Sequence, residues 1–441
     1  MSSLPRVVGS CVALLVTLAL VAQPARAAET PEQIAIALLD RLDAGDYAAA
    51  EARFGPAMAA AVPSDKLKAV WESLPRQAGA ATGRGTPQVS TQGGGTMVVV
   101  PLHHANADLV ATIAVDAEGR IVGFLIQPAP PPPAAAPASG ASYIEREFKV
   151  GSGERALPGT LTMPKHANAQ ARVPAVVLVH GSGPQDRDET VGANRPFLDI
   201  ARGLAERGIA SLRYDKRTKA RPQDFAAGDY DMDDETTDDA VAAVAALRAV
   251  PGIDPARVHV LGHSQGGMLA PRIAARSGNV AGLVLLAAPA RPLLDILPEQ
   301  NRYLLGADGS IEPAEQDFLD ELDRKIAAVR SDAEMAAKDT PLGLPPGYWR
   351  AFEAIDPVAD ARAISTPMLL LHGGRDFQVV AADWQRWRTA LAGDPRATFK
   401  HYPALNHLGI AGEGAGSLTE YQIAGHVDAL LIADVADWIN R

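Results

Sequence analysis

The chain has 441 residues, more than one ordinary domain requires, so we expect two folded units with connecting segments. Hydrophobic residues make up 47% and charged residues 21%, a balance typical of a globular protein with a buried core and not of a disordered one. The formal net charge of −11 argues against nucleic-acid binding, because neutralising phosphates requires a basic face.

The first residues have the pattern of an export signal. Arg6 provides a positive start, residues 7–22 form an apolar run, and Ala25-Arg26-Ala27 is a small-x-small cleavage site. We therefore expect a signal peptide over residues 1–27 and an exported protein, periplasmic or secreted; the alternative is a membrane anchor, for which the run is short. The single cysteine, Cys11, lies in this segment, so the mature chain relies on packing and not on disulfides. No later apolar run approaches membrane-spanning length, which predicts no membrane insertion of the mature chain.

Residues 28–127 place helical patterns before strand patterns, which predicts a small α+β domain. Thr30 is a predicted N-cap, and Ile34 and Leu38 begin the apolar stripe of the first helix. The predicted helices are Thr30–Asp43, Tyr47–Phe54 and Ser64–Leu74, and the predicted strands are Met97–Leu102, Leu109–Val115 and Ile121–Ile126. This order resembles the cystatin-like or nuclear-transport-factor-like modules that precede hydrolase domains in some bacterial enzymes. The resemblance implies an accessory role for this unit.

A proline- and alanine-rich segment, residues 128–141, follows, and we predict a linker there because consecutive prolines favour an extended spacer. The alternative is an ordered surface loop. In residues 142–441, strand and helix patterns alternate, which predicts a mainly parallel sheet with helices on both faces. The predicted strands are Tyr143–Val150, Ala156–Met163, Ala175–Val179, Ala210–Arg213, Val258–Leu261, Gly282–Ala287, Pro367–Leu371 and Ala397–His401. Residues 289–357 interrupt the alternation and are expected to form a cap insertion, with helical spacing from Glu312 to Met335.

The motif Gly262-His263-Ser264-Gln265-Gly266 lies between a predicted strand and a predicted helix. A serine nucleophile on a sharp turn requires this arrangement, because only glycines let the strand and the helix approach each other closely. The motif resembles the nucleophile elbow of α/β-hydrolases, and the resemblance implies an α/β-hydrolase fold with Ser264 as nucleophile. The alternative is an ordinary tight turn.

A serine hydroxyl requires an imidazole to accept its proton and a carboxylate to orient that imidazole. The α/β-hydrolase order along the chain is serine, acid, histidine. Asp376 follows the strand Pro367–Leu371, and His407 lies in the loop after the next strand, so we predict Asp376 as the acid and His407 as the base. The weaker alternatives are His401, His426 and Asp383, each of which is predicted to lie within a strand or helix.

The negatively charged intermediate of acyl transfer requires two preorganised N–H donors. We predict that Gln265, directly after the serine, supplies one and that Ser182 in His180-Gly181-Ser182-Gly183-Pro184 supplies the other, with Gly183 as the alternative. His180 is expected to brace this loop, although a catalytic base is the competing interpretation.

Three motifs together resemble bacterial carboxylesterases related to dienelactone hydrolases and serine aminopeptidase-type hydrolases. They are His180 to Asp188, Arg213-Tyr214-Asp215-Lys216-Arg217, and Gly262 to Gly267. The resemblance covers residues 142–441 and implies hydrolysis of carboxylic esters without a cofactor. The chain departs from the expected pattern after Arg217, where Thr218 to Pro222 replace glycines and a serine, so the local pocket rim differs. We expect an ion pair between Asp215 and Arg217 beneath the loop 180–184, which we call the oxyanion loop; contact of these residues with substrate is the alternative.

The predicted function is therefore a serine carboxylesterase that acts on small to medium acyl esters, its small-molecule substrates, through an acyl-enzyme on Ser264. A peptidase or thioesterase with the same triad is the alternative, and a non-catalytic binding protein is the weaker one. The acidic run Asp229 to Asp239 is expected to begin a helix, with calcium binding as the alternative. No metal site is predicted, and no pattern in the sequence indicates an oligomeric state.

Overall fold

The structure is a computed structural model that describes residues 29–92, 95–129, 134–331 and 334–441. The chain forms two compact units, one that ends at Ala129 and one that comprises the rest. The predicted signal peptide, residues 1–27, and residues 130–133 of the predicted linker lie outside the described residues. None of the helices in the described ranges has both the length and the apolar character needed to cross a bilayer.

The first unit is a small α+β domain in which helices cover an antiparallel sheet. The first helix begins with a capping box between Thr30 and Gln33, and it buries Ile34, Leu38 and Leu42 in the core that it shares with the sheet. The sheet runs β1-β3-β4-β5, and β2 also pairs with β3. The elements are helices α1 (Pro31–Asp43), α2 (Tyr47–Glu51), α3 (Pro56–Ala61) and α4 (Ser64–Ala78), and strands β1 (Ala81–Arg84), β2 (Gln88–Gln92), β3 (Gly95–His104), β4 (Asp108–Val115) and β5 (Ile121–Pro128).

The second unit is built on an eight-stranded sheet of order β13-β12-β11-β10-β8-β9-β7-β6. The strands from β9 through β8 to β13 are all parallel, and the β6–β7 hairpin joins them through an antiparallel β7–β9 pair. Its central strands are almost continuously apolar, as expected for strands covered on both faces. The strands are β6 (Tyr143–Val150), β7 (Leu157–Pro164), β8 (Val173–Val179), β9 (Ala210–Tyr214), β10 (Ile253–His263), β11 (Leu283–Leu286), β12 (Met368–Gly373) and β13 (Ala397–Tyr402).

Helices cover both faces of this sheet. One face packs against α5 and α14 and the other against α7 and α8, so each face has its own apolar core. The mostly parallel α/β architecture predicted from the sequence is confirmed. The helices are α5 (Pro196–Glu206), α6 (Arg217–Ala220), α7 (Asp238–Arg248), α8 (Gln265–Ser277), α9 (Leu293–Leu305), α10 (Pro313–Arg330), α11 (Pro346–Glu353), α12 (Pro357–Ala363), α13 (Ala381–Ala390) and α14 (Ala429–Ile439).

The interruption predicted at residues 289–357, which we call the helical insertion, lies between β11 and β12 and contains α9, α10 and α11. The predicted helix Glu312 to Met335 begins at Pro313 and ends earlier than expected, at Arg330. Trp349 and Phe352 of α11 are fully buried in the same apolar core as the central strands. The insertion is therefore packed onto the sheet domain and does not form a separate core.

Candidate active site

The predicted site residues lie at one edge of the sheet, beyond the carboxyl ends of its parallel strands. The loop 180–184 follows β8, Ser264 follows β10, Asp376 follows β12 and His407 follows β13. These strands are neighbours in the order β13-β12-β11-β10-β8, so residues far apart in sequence meet at the same edge. In open parallel sheets this edge is where ligands bind.

Ser264 occupies a strained turn between β10 and α8, with φ of 52° and ψ of −119°. A positive φ is costly for a residue with a side chain, and such strain persists only where the surroundings impose it. The close approach of the backbones of β10, α8 and β8 imposes it here, and glycines permit that approach: a Cβ on Gly262 would lie 2.1 Å from the carbonyl oxygen of Gly266, and a Cβ on Gly266 would lie 2.2 Å from that of Val179. Ser264 as a residue remains partly exposed.

Asp376 and His407 form a buried hydrogen-bonded pair, with 2.8 Å between Nδ1 of His407 and Oδ2 of Asp376. The other oxygen, Oδ1, accepts hydrogen bonds from the backbone N–H groups of Gln378 (2.8 Å) and Val379 (2.9 Å). The carboxylate is thus fixed by three donors, and it fixes the imidazole in turn. An Nδ1–H that donates to Asp376 leaves Nε2 as the basic nitrogen.

The base is tied to the nucleophile turn through the neighbour of the serine. Nε2 of His263 donates to the backbone carbonyl of His407 at 2.9 Å, and the centres of the two rings lie 4.6 Å apart. Among the described residues, the Ser264 hydroxyl has no hydrogen-bond partner. Hydrogen bonds between a catalytic serine and its base often shorten into place only when substrate binds.

The alternative residues considered for the triad have other partners. The Asp383 carboxylate is fully buried and binds the Arg291 guanidinium. His426 is 88% exposed, lies before α14 and not within it, and contacts Asp199. His401 is exposed on β13 and stacks on His372.

The two predicted oxyanion donors flank the nucleophile turn. Gln265 is the first residue of α8, where a backbone N–H has no partner within its helix. Ser182 lies in the exposed part of the loop after β8, and a Cβ on the preceding Gly181 would lie 3.2 Å from Cβ of Ser264. In the part of the chain that the structure describes, the N–H groups of Ser182 and Gln265 donate to no protein acceptor.

Both backbone groups of Gly181 are held by buried charged side chains. Its N–H donates to Oε1 of Glu189 at 2.6 Å, and its carbonyl accepts from Nζ of Lys216 at 2.9 Å. Oε2 of Glu189 also lies 3.0 Å from Nδ1 of His263, an ion-pair contact whose angle is poor for a hydrogen bond. Glu189 therefore contacts both the oxyanion loop and the histidine that holds His407.

The charges in this region shift the pKa values of the buried groups. Burial lowers the pKa of His180 to about 4, so this ring is neutral and packs between Phe197 and Tyr214 as a brace. Burial also acts to lower the pKa of His263, but the Glu189 carboxylate outweighs it, and the pKa of His263 is raised. Burial acts in the opposite direction on Glu189, yet His263 lowers the pKa of that carboxyl. The two groups thus form an internal ion pair.

The ion pair predicted between Asp215 and Arg217 is wrong. Asp215 is bound by Arg187 through Nε (3.0 Å) and Nη2 (3.1 Å), while Arg217 binds Asp239 and Asp224. Arg187, from the loop after β8, takes Asp215, and Arg217 instead reaches Asp239 in α7 and Asp224, seven residues along the chain.

The acidic run Asp229 to Asp239 forms a π turn followed by α7. Glu235 of this run is buried, and its Oε1 lies 2.6 Å from Nζ of Lys216. Across the described ranges, no group of three or more His, Cys, Asp or Glu side chains is arranged to hold a metal ion.

Sequence reasoning missed three charged residues that surround the oxyanion loop: Glu189, Lys216 and Glu235. Lys216 and Glu235 lie inside sequence motifs singled out above, and Glu189 directly follows one, but most of their partners lie on other segments of the chain. The only local signal was their position beside the loop and strand ends that carry the predicted site. That signal does not identify which side chains point inward.

Comparison with known proteins supplies relatives for both units. Residues 171–413 match the family described as serine aminopeptidase, S33, and residues 35–124 match a family of unknown function, DUF3887. The chain is similar to the esterase EstD of Thermotoga maritima, with 38% identity over 338 residues, 76% of this chain and 77% of that protein. It is also similar to a non-heme haloperoxidase of Rhodococcus erythropolis, with 31% identity over 229 residues, 46% of this chain and 77% of that protein. Among solved structures, Est1E from Butyrivibrio proteoclasticus has a TM-score of 0.43 and 18% identity, covering 67% of this chain and 97% of its own.

Proposed function

The chain belongs to the serine aminopeptidase S33 family of α/β-hydrolases, and from this premise we propose that it is a serine carboxylesterase. A relative named as an esterase is 38% identical over most of both chains. A peptidase or thioesterase with the same triad remains the alternative to be tested against it, because one fold and one triad serve several leaving groups.

The reaction that we propose is a two-step acyl transfer. The Ser264 oxygen attacks the ester carbonyl carbon while Nε2 of His407 takes the hydroxyl proton. The tetrahedral intermediate collapses, the carbon–oxygen bond to the alcohol breaks, and His407 returns the proton to the leaving alkoxide. Water, deprotonated by His407, then attacks the acyl-enzyme, and Ser264 leaves with the proton as the acid is released. The N–H groups of Ser182 and Gln265 stabilise both negatively charged intermediates.

One observation carries the assignment of roles: the Asp376–His407 pair is bound to the turn that holds Ser264. The pair is buried, its hydrogen bond measures 2.8 Å, and the backbone of His407 accepts a hydrogen bond from His263, the residue before the nucleophile. A strained serine beside an oriented imidazole is the arrangement that nucleophilic acyl transfer requires.

We propose substrates with small to medium acyl groups. The helical insertion supports this size, because its helix α11 packs on the sheet domain and its Tyr348 hydroxyl donates to Glu235 beside the oxyanion loop at 2.7 Å. An insertion held this close to the site restricts the room for a long or polymeric substrate.

The function is tested with p-nitrophenyl esters of increasing acyl length, on the wild type and on Ser264→Ala. Aminoacyl p-nitroanilides and acyl thioesters measured under the same conditions distinguish an esterase from a peptidase or thioesterase. We expect ester hydrolysis to exceed anilide hydrolysis, to decline with long chains, and to disappear in Ser264→Ala. Ser331→Ala, at an exposed serine, is the matched control. A Ser264→Ala variant with unchanged turnover would refute the assignment.

We also propose that the protein is exported, either to the periplasm or out of the cell. The proposal rests on the positively charged start at Arg6, the apolar run over residues 7–22 and the cleavage site Ala25-Arg26-Ala27. The full chain with a carboxyl-terminal tag is expressed in a bacterium with two membranes, and the product is fractionated and its intact mass measured. Removal of residues 1–27 and recovery outside the cytoplasm are expected. An uncleaved chain in the cytoplasm would contradict export.

A further inference from the structure

A buried lysine that the acyl-transfer steps do not use contacts the oxyanion loop. The Lys216 side chain is 2% exposed, and its Nζ donates to the carbonyl oxygen of Gly181 at 2.9 Å. The same ammonium lies 2.6 Å from Oε1 of Glu235, whose side chain is 5% exposed. Burying two charges costs desolvation energy, so such a pair by itself stabilises a fold little. Its position beside the site therefore points to a role other than stability.

The bonded carbonyl belongs to the peptide that carries the proposed oxyanion donor. The Gly181 C=O and the Ser182 N–H are two ends of one planar trans peptide, in which the two groups point in opposite directions. An ammonium that fixes the carbonyl therefore also fixes the direction of the N–H. A charged donor on the oxygen further polarises the peptide, which strengthens the N–H as a hydrogen-bond donor.

The other oxygen of Glu235 links this pair to the helical insertion. Oε2 accepts a hydrogen bond from the Tyr348 hydroxyl at 2.7 Å, and Tyr348 is buried in α11. The Tyr348 ring also contacts Tyr230, with ring centres 5.5 Å apart, next to the turn that carries Glu235. A continuous chain of contacts thus runs from the insertion through Glu235 and Lys216 to the loop 180–184.

We propose that Lys216 is a positioning residue that aims and polarises the Ser182 N–H, and that Tyr348 holds Lys216 in place through Glu235. The inference rests on the proposed function, since it assigns a role in the same oxyanion hole. It makes oxyanion stabilisation depend on the helical insertion being docked.

The test compares steady-state hydrolysis of p-nitrophenyl acetate by the wild type, Lys216→Met and Tyr348→Phe. A misaimed oxyanion donor weakens transition-state binding and leaves substrate binding unchanged. We expect kcat to fall about 30- to 300-fold in Lys216→Met, because deleting one oxyanion donor outright costs about 100- to 1000-fold. For Tyr348→Phe, which removes one hydroxyl and leaves the Lys216–Glu235 pair in place, we expect a smaller fall, about 3- to 10-fold. KM should change little in both variants.

A second measurement separates positioning from a general structural role. The inhibition constant of a trifluoromethyl ketone, which forms a tetrahedral adduct on the serine, should rise in parallel with the loss of kcat/KM, while inhibition by the product p-nitrophenol should not change. Lys400→Met and Tyr402→Phe are matched controls, because both residues bind Asp434, at 2.7 and 2.8 Å, away from the oxyanion loop. Both controls should retain wild-type kcat.

The outcomes distinguish the inference from the proposed function. If Ser264→Ala abolishes turnover but Lys216→Met and Tyr348→Phe retain kcat within twofold, the positioning role is overturned and the esterase assignment stands. If KM and p-nitrophenol inhibition weaken as much as kcat falls, Lys216 has only a structural role. If Lys216→Met does not fold, as judged by circular dichroism, Tyr348→Phe decides the question, since it leaves the ion pair intact.

Discussion

Replacing Asp376 by Asn should place the proton on the wrong nitrogen of His407. Oδ1 of Asp376 accepts from two backbone N–H groups, those of Gln378 and Val379, and Oδ2 faces Nδ1 of His407. In the variant, the amide oxygen takes the position with two donors. The amide NH₂ then faces His407 and donates to Nδ1, so the ring proton moves to Nε2, which can no longer accept the proton of Ser264.

The structure sets the size of this effect. Turning the amide around would aim its NH₂ at the two backbone donors and leave both unsatisfied. Each unsatisfied buried donor costs about 1–3 kcal/mol, so the turned amide is disfavoured by about 2–6 kcal/mol, or about 30-fold to 10⁴-fold. The imidazolium formed during catalysis also loses its counter-charge. We therefore expect kcat to fall by about 10⁴-fold, the loss known for the equivalent change in a serine protease triad.

The assay is steady-state hydrolysis of p-nitrophenyl acetate, combined with thermal unfolding to show that the variant is folded. KM should remain close to the wild-type value, because the substitution does not touch the acyl pocket. Asp434→Asn is the matched control, since Asp434 also accepts hydrogen bonds with both carboxylate oxygens, from Lys400 and Tyr402, but is not part of the proposed triad. A folded Asp376→Asn variant with kcat within tenfold of the wild type would refute this account of the acid.

Gly262→Ala should unfold or inactivate the enzyme, because the new Cβ would lie 2.1 Å from the backbone oxygen of Gly266. Gly347→Ala is the control: its new Cβ would have nothing within 4 Å, so the melting temperature should stay nearly unchanged. Equal melting temperatures for the two variants would contradict the steric argument. Glu189→Gln should reverse the pH dependence of stability near neutrality. In the wild type, Glu189 raises the pKa of His263, so that the stabilisation is complete below the ordinary value of 6.5 and is lost as pH rises through the raised one. In the variant, burial alone lowers the pKa of His263, so stability should instead fall on acidification; urea unfolding across this pH range checks the sign, and parallel curves would contradict it.

The elements with a strong local pattern were predictable. Strands β8 and β12 are runs of apolar residues between turn signals, and they occur where the pattern indicated. Strands β1 and β2 were missed, since β1 is mostly exposed and both are rich in polar residues, so neither shows the alternation of a half-buried strand. Helix α11 was also missed, because it is short and begins with Pro346 and Gly347.

The candidate site divides in the same way. The nucleophile turn could be predicted from local sequence, since Ser264 and its glycines lie within five residues and the steric exclusion acts between near neighbours. The acid and the base were assigned from the order of residues along the chain, and the structure brings Asp376 and His407 within hydrogen-bonding distance. The partners of Asp215 and Arg217 were assigned wrongly, because ion pairs form between loops whose separation in space no sequence pattern expresses.

The amino-acid sequence by itself determined the two-unit organisation, the mainly parallel sheet and the strand–Gly-x-Ser-x-Gly–helix turn, because periodicity and glycine sterics act over a few residues. Only the tertiary structure decided that Glu189 holds the Gly181 N–H, that Lys216 holds its carbonyl, and that Tyr348 reaches Glu235. The last two contacts join segments that meet only after the strands have paired in the order β11-β10-β8-β9, and the geometry of that pairing is a property of the whole sheet.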